Sequence, residues 1–138
     1  MFNLQLKYKN DIIPGYLMND KSYIYSLNSN KILRPFNNKE GKPVVALLYN
    51  GKKTALRLDY LVLSTHNRYY DDIIRAVHLD EDDSNCSINN LMALRKVDII
   101  NKYKEMYNVD NLEEIDEVWK LHPEVTSVEI SNFGNIRD

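Results

Sequence analysis

Apolar and polar residues alternate through much of the first sixty positions, which is the pattern of half-buried β-strands. The alternating runs are residues 3–9, 22–28, 42–49 and 54–63. The last two flank Asn50-Gly51, a dipeptide that tolerates the two positive φ angles of a type I′ turn, so they are predicted to form an antiparallel hairpin. A second turn is predicted at Pro14-Gly15.

Helical and strand-like patterns follow each other in the middle of the chain. The pattern turns helical after Leu61, becomes strand-like over residues 73–79 and then gives way to a polar loop. Residues 89–108 predict a longer helix, with Asn89 or Asn90 capping its free N–H groups. The apolar stripe of this predicted helix consists of Leu91, Leu94, Ile99 and Tyr103.

The C-terminal part divides into a connector and a β-rich segment. Residues 109–117 are acidic, and residues 118–138 combine strand-like runs with turns. Residues 127–138 and 23–34 share an alternating run, a turn of small polar residues, and a following Ile and Arg. The whole pattern predicts an α+β fold of antiparallel β-hairpins with one main helix.

Length and composition limit the classes of protein that the chain can represent. Its 138 residues suit one domain, or one domain with an accessory segment. Cys86 is the single cysteine, which excludes an intramolecular disulfide, and no His–acid pair adjoins it to make a catalytic thiol. We expect neither a signal peptide nor a membrane span, and therefore a soluble protein inside a cell or a particle assembled there.

The charge is distributed unevenly along the chain. Residues 1–60 carry 10 Lys and Arg against 4 Asp and Glu, whereas residues 61–138 carry 8 against 16. A basic half can lie on a phosphate backbone while the acidic half stays clear of it. Internal charge pairing and contact between two copies are the alternatives, because a pI near 5.9 is unusual for a dedicated DNA-binding protein.

The stretch AVHLDEDDSNCSINNLMAL, residues 76–94, carries the candidate chemistry. His78 precedes four acidic residues, and Asn85 and Asn90 follow them. These residue types can hold a divalent ion, but they also have structural uses: a histidine paired with an acid, a solvated acidic loop, and asparagines that turn a loop or cap a helix. Two further histidines, predicted to lie on the surface, are His66 and His122.

These segments resemble the phage HNH homing endonucleases that carry NUMOD4 modules. EVWKLHPEVTSVEISNFGNIRD is similar to the module's Y-x-V-S-N-x-G-x-(I/V) run, and IIPGYLMNDKSYIYSLNSNKILR to a diverged copy. KPVVALLYNGKKTALRLDYLV is similar to the strand pair before the nuclease core, and residues 76–94 to the core motif H-x-D-G-(D/N)-x-x-N-N-x-x-x-N-L. The resemblance implies a NUMOD4-like module (1–36), an HNH-like ββα-metal core (37–108), an acidic linker (109–117) and a second, truncated module (118–138).

The resemblance also implies roles for individual residues. In an HNH site a neutral histidine takes a proton from water, and a divalent ion stabilises the charge on the scissile phosphate. His78 matches this general base, Asn85 the residue that orients it, and Asn90 a metal ligand, with Asp80 or Asp82 as a substitute ligand. The cofactor of an active enzyme would be Mg²⁺ or Mn²⁺; an inactive protein would need none.

The sequence departs from the family pattern at four positions. Val77 replaces a metal ligand, Glu81 the loop glycine, Cys86 an asparagine, and Asp59 an upstream histidine. Val77 has no donor atom for a metal, and Glu81 adopts a positive φ poorly. The departures predict a site that has lost catalysis.

Three hypotheses about function follow. The first is an HNH-derived, phage-type protein that binds double-stranded DNA without cutting it, and the second is an active Mg²⁺-dependent nicking endonuclease. The third is a virion or regulatory protein that uses the fold to bind a protein partner or a second copy. All three place it in the host cytoplasm or the virion, away from membranes. The residues predicted to contact DNA phosphates are Lys31, Arg34, Lys42, Lys52, Lys53 and Arg57.

Overall fold

Small β-sheets dominate the computed structural model, which describes residues 1–107, 117–125 and 127–138. The chain forms two compact units: unit 1 comprises residues 1–69 and 76–92, and unit 2 comprises residues 70–75 and the described part of 93–138. The α+β class is confirmed. The fourfold division implied by the family resemblance stays a prediction, and its acidic linker, apart from Glu117, lies outside the described residues.

The first alternating runs form a four-stranded antiparallel sheet in unit 1. Its strands, in spatial order, are β1 (Leu4–Tyr8), β2 (Asp11–Met18), β3 (Ile24–Ser26) and β4 (Lys31–Leu33). Alternate residues point into the core, as the period of a strand requires. The most buried of them are Leu6, Ile13, Met18 and Ile24.

The turn predicted at Pro14-Gly15 is wrong, because both residues lie within β2. The pairing of β1 with β2 is irregular between Gln5 and Lys7, where β2 contains the extra residues. Gly15 has a φ of +87°. Proline lacks an N–H for the ladder and glycine permits this φ, so the pair produces a bulge instead of reversing the chain.

The hairpin predicted around Asn50-Gly51 is confirmed, but its second strand ends at Arg57 and the extension predicted to residue 63 is wrong. β6 (Pro43–Tyr49) and β7 (Lys52–Arg57) pair in register from Tyr49↔Lys52, and β5 (Phe36–Asn37) completes the sheet. Asn50 and Gly51 have φ angles of +52° and +79°. Helix α1 (Leu58–Thr65) follows β7 directly, and Leu61, Val62 and Leu63 on it are fully buried.

The helix predicted over residues 89–108 is wrong in its first part. β8 (Ile73–His78) and β9 (Leu91–Arg95) form a two-stranded sheet, and helix α2 (Lys96–Tyr107) begins only after β9. Leu91 and Leu94 are buried as strand residues. Their spacing also fits a helix, but pairing with β8 satisfies the backbone of β9. No helix within the described residues is long and apolar enough to span a membrane.

Unit 2 contains α2 and the predicted β-rich segment. The segment forms an antiparallel sheet of β10 (Trp119–Leu121), β11 (Glu129–Ser131) and β12 (Ile136–Arg137), and α2 packs against β11. A Cβ atom on Gly134 would lie 2.9 Å from side-chain atoms of Lys96 and Ile100. Glycine therefore allows the β11–β12 turn to approach the helix closely.

The two segments that share a sequence pattern also share a local structure. β3–β4 and β11–β12 are short antiparallel hairpins, and the first strand of each ends at a buried serine. Ser26 Oγ accepts a hydrogen bond from the backbone of Ser29, and Ser131 Oγ accepts from Phe133 and Asn135. The shared pattern thus corresponds to a shared hairpin with a serine inside its turn.

His122 is buried, so its predicted surface position is wrong. Its side chain is only 5% exposed. Nδ1 accepts hydrogen bonds from the backbone N–H groups of Glu124 and Val125 at 3.1 and 3.0 Å. Burial is the main cause that lowers the pKa of His122; the charge of Lys102 acts in the same direction and that of Glu124 opposes it. His122 therefore holds its turn only while Nδ1 carries no proton.

Acidification is expected to weaken unit 2 through His122. Because the folded-state pKa lies below the ordinary 6.5, the unfolded chain binds the proton more readily. The stabilising contribution of neutral His122 is complete above pH 6.5, and it is lost as the pH falls through the lower pKa that His122 has in the folded state. Thermal unfolding between about pH 7.5 and about pH 5 should show a larger loss for the natural chain than for His122→Asn. Asparagine can accept the same N–H groups without titrating. An equal loss of stability in the natural chain and in His122→Asn would contradict this role of neutral His122.

Candidate functional site

His78 lies at the end of β8 in unit 1 and is buried. Its Nδ1 is 3.0 Å from the backbone carbonyl oxygen of Asn85, and its Nε2 is 3.2 Å from Oδ2 of Asp59. The structure thus brings His78 and Asn85 together, but through the asparagine backbone, not its side chain. Asp59 reaches the same ring from the first turn of α1.

The partners of His78 constrain its protons. A carbonyl oxygen only accepts hydrogen bonds, so Nδ1 carries a proton. Nε2 lies against the carboxylate of Asp59. A general base needs a nitrogen within reach of its water. In this arrangement both ring nitrogens of His78 are engaged with groups of the chain.

Asp59 is the centre of a buried charge cluster. Its carboxylate is 4% exposed and accepts two hydrogen bonds from the Arg57 guanidinium, at 2.5 and 3.1 Å. The sequence pattern marks Asp59 as a departure from the family, but it does not predict the contact with His78. The Arg-x-Asp spacing across the start of α1 is a signal for the local Arg57–Asp59 pair, and the link to His78, 19 positions away, needs the fold.

The loop between β8 and β9 is held closed by its own polar side chains. Asp80 accepts hydrogen bonds from the side-chain amides of Asn85 at 2.7 Å and Asn90 at 2.8 Å, and from the backbone N–H of Asp82 at 2.9 Å. Asn90 also accepts from the backbone of Asp80 and donates to the carbonyl of Asn85. The hydrogen bond from Asn85, followed by those from Asp82 and Asn90, lowers the pKa of Asp80. Asn90 ends a 3₁₀ turn before β9 instead of starting a helix.

The residues proposed as metal ligands do not fit a divalent ion in this arrangement. Oδ1 of Asn90 accepts from the backbone of Asp80, and both carboxylate oxygens of Asp80 accept from asparagine amides. Among the described residues, no three His, Cys, Asp or Glu side chains lie together as a metal-binding group. Mg²⁺ requires several oxygen ligands in near-octahedral geometry. The polar atoms of this loop are instead occupied with one another.

Glu81 occupies a strained backbone position in the same loop. Its φ is +63°, in the left-handed region that the sequence predicts for the family's glycine. A non-glycine residue there costs about 1–2 kcal/mol. The loop therefore stores strain at the one position where the glycine of the family motif has been replaced.

Replacing Glu81 with glycine is expected to stabilise the chain. The relief of strain exceeds the entropy lost by a more flexible residue, so the free energy of unfolding should rise by about 0.5–1 kcal/mol. Urea unfolding measures it. Glu40→Gly is the matched control: Glu40 also lies in an exposed turn but without a positive φ, and its substitution should not stabilise. A lower free energy of unfolding in Glu81→Gly would show that the backbone of Glu81 is not strained.

Cys86 is a structural residue of this loop. It is buried, and desolvation is the main cause that raises the pKa of its thiol to about 12. Its carbonyl oxygen accepts a hydrogen bond of 2.9 Å from Oγ of Ser22, which ties the loop to the N-terminal sheet. A thiol with this pKa is not a nucleophile at neutral pH, in agreement with the expectation from the sequence.

The six residues predicted to contact DNA fall into two groups. Lys42 forms an ion pair of 2.7 Å with Asp83, lowering the pKa of that carboxyl, and Arg57 is paired with Asp59. The exposed cations are Lys31, Arg34, Lys52 and Lys53. A cleft of about 330 Å³ has Ser26, Asn28, Ser29 and Leu33 of the N-terminal sheet and Lys53 of the β6–β7 hairpin among its lining residues. The turn that precedes Lys31 therefore lies on the same side of unit 1 as Lys53.

Two comparisons with known proteins bear on this site, and no protein-family model matches the chain. The chain is 31% identical over 101 residues to the H-N-H endonuclease F-TflI of Escherichia phage T5; the match covers 71% of this chain. The chain spans 50% of that endonuclease. It also superimposes on the HNH homing endonuclease I-HmuI with a TM-score of 0.56 and 18% identity, over 93% of this chain and 77% of the other. The chain is thus similar in sequence to a phage H-N-H endonuclease and similar in fold to an HNH homing endonuclease.

Proposed function

We propose that the chain is an HNH-endonuclease-derived protein that binds double-stranded DNA without cutting it. The observation that carries the proposal is the position of His78, whose two ring nitrogens are engaged with Asn85 and Asp59. In this arrangement neither ring nitrogen is open to a water molecule that it would have to activate. The order strand, polar loop, strand, helix from β8 to α2 supports an HNH-like core with modules on either side.

The DNA contacts are assigned to the exposed cations of unit 1. Lys31, Arg34, Lys52 and Lys53 can neutralise phosphates, whereas Lys42 and Arg57 serve internal ion pairs. The excess of positive charge in residues 1–60 supports this face over the acidic remainder. We place a phage-type protein of this kind in the host cytoplasm or in the virion, and contacts of these cations with phosphates need no metal.

Nicking by a metal-dependent site is the second candidate. It is favoured by one observation: the relative from phage T5 and the structural neighbour are both named as endonucleases. Catalysis would require His78 to leave Asp59 and the Asp80–Asn90 network to open for Mg²⁺ or Mn²⁺.

A mobility-shift titration with duplex DNA in EDTA tests binding, and incubation with supercoiled plasmid in Mg²⁺ or Mn²⁺ tests cleavage. We expect a shift that weakens with added salt and a plasmid that stays supercoiled. Nicking that disappears in His78→Gln would instead establish the endonuclease. Neither a shift nor nicking would overturn both candidates and favour a protein partner.

A further inference from the structure

The carboxylate of Asp59 has more partners than an ordinary surface acid. Oδ1 accepts from Nε of Arg57 at 3.1 Å and from the backbone N–H of Tyr60 at 2.8 Å. Oδ2 accepts from Nη2 of Arg57 at 2.5 Å and lies 3.2 Å from Nε2 of His78. A carboxylate offers about four acceptor positions. All four are taken by groups of unit 1.

Arg57 is held in place by more than its ion pair. Its guanidinium carbon lies 4.8 Å from the centre of the Tyr60 ring, and Tyr60 itself contacts Tyr69 edge to face. A planar guanidinium suits both contacts, because it can stack on a ring while it donates two parallel hydrogen bonds. The positive charge beside Asp59 therefore has a defined position.

Asp59 and His78 together supply the donors that a divalent ion uses in proteins, a carboxylate oxygen and an imidazole nitrogen. Their contacting atoms are 3.2 Å apart. A cation approaching this pair would have to displace the guanidinium, and would meet its positive charge at close range. The position that a metal ion would take beside Asp59 and His78 is thus occupied by the guanidinium of Arg57.

We propose that Arg57 supplies the positive charge that balances Asp59 beside His78 and thereby excludes divalent cations from the site. This inference rests on the proposed function and deepens it, since it explains how the carboxylate of a metal-free HNH-type site is balanced by a charge of the chain itself. Arg57 is accordingly a structural residue and not a phosphate contact. Removing its charge should open the site to a metal.

The test is a titration of Mn²⁺, a paramagnetic ion, into the full chain while the imidazole signals of the three histidines are followed by NMR. In the natural chain, the His78 signals should broaden no more than those of His66 and His122. In Arg57→Gln, which is neutral but still donates a hydrogen bond, the His78 signals should broaden selectively. The Mn²⁺ concentration needed should be at least about tenfold lower than in the natural chain.

Arg57→Lys is the matched control, because it keeps the charge and should exclude Mn²⁺ as arginine does. Adding Asp59→Asn to Arg57→Gln should abolish the selective broadening. Selective broadening of His78 in the natural chain, or its absence in Arg57→Gln, would overturn the proposal. If Arg57→Gln does not fold, Arg57→Met offers the same test.

The DNA mobility shift of the natural chain in EDTA separates the two proposals. Loss of DNA binding would count against the proposed function and leave the Mn²⁺ result standing. Selective binding of Mn²⁺ at His78 in the natural chain would refute the role of Arg57, whether or not DNA binds.

Discussion

Replacing Asp59 with asparagine is expected to lower the free energy of unfolding by about 3 kcal/mol, a cost typical of breaking a buried ion pair by removing one partner. The change keeps the shape of the side chain and one oxygen for the N–H of Tyr60. It leaves the guanidinium of Arg57 and the ring of His78 without a carboxylate. Urea unfolding at neutral pH measures the loss.

Two controls decide whether that loss comes from the cluster. Asp20→Asn, at an exposed position of unit 1, should change stability by no more than about 0.5 kcal/mol. In a double-mutant cycle, Asp59→Asn and His78→Gln should cost less together than the sum of the two single changes. Additive losses, or a loss as small as that of Asp20→Asn, would show that the contacts around Asp59 contribute little.

Neutralising Lys52 and Lys53 is expected to have the largest effect on DNA affinity. Each phosphate that the protein no longer neutralises reduces the slope of log K against log salt by about 0.9, so Lys52→Gln with Lys53→Gln should flatten it by nearly 2. The affinity should fall on the order of 10- to 100-fold near 0.1 M salt, for any duplex sequence. Both lysines follow the Asn50-Gly51 turn and are exposed, so the substitutions should leave the fold intact.

The charge-retaining pair Lys52→Arg and Lys53→Arg is the control for this experiment. It should keep both the affinity and the salt dependence, because arginine neutralises a phosphate as lysine does. An unchanged affinity in the glutamine variant would remove the β6–β7 hairpin from the DNA interface. An equal loss in both pairs would indicate a disturbed fold, which the unfolding curve of each variant would reveal.

The polar residues around His78 are the kind that nuclease chemistry uses, but here they mostly bind one another. Asn85 and Asn90 close the loop through Asp80, and Asp59 is shared between Arg57 and His78. Such a network stabilises the loop only while every member keeps its partner. We infer that groups which could serve catalysis instead hold the loop against α1.

Local patterns determined much of the secondary structure. The Asn50-Gly51 hairpin and β8 follow from turn chemistry and from a period of two residues, which depend on neighbouring positions. The helical pattern expected after Leu61 places the start of α1 too late. The family resemblance implies that Asn85 orients His78, and in the structure Nδ1 of His78 meets the backbone carbonyl of Asn85 instead of its side chain. The same resemblance marks position 81 as a glycine position, and Glu81 has a positive φ there.

What the tertiary structure alone decided involves residues far apart in sequence. Leu91 and Leu94 suit a helix by spacing, but pairing with β8 places them in a strand, and a single sequence does not reveal that partner. In the sequence, Lys42 and Arg57 cannot be told from exposed cations. In the structure, Lys42 forms an ion pair with Asp83, and Arg57 forms one with Asp59. The sequence by itself thus determined the elements and the residues that could form a site. Only the fold brought Asp59 to His78, because contacts across 19 positions form through packing and not through local propensity.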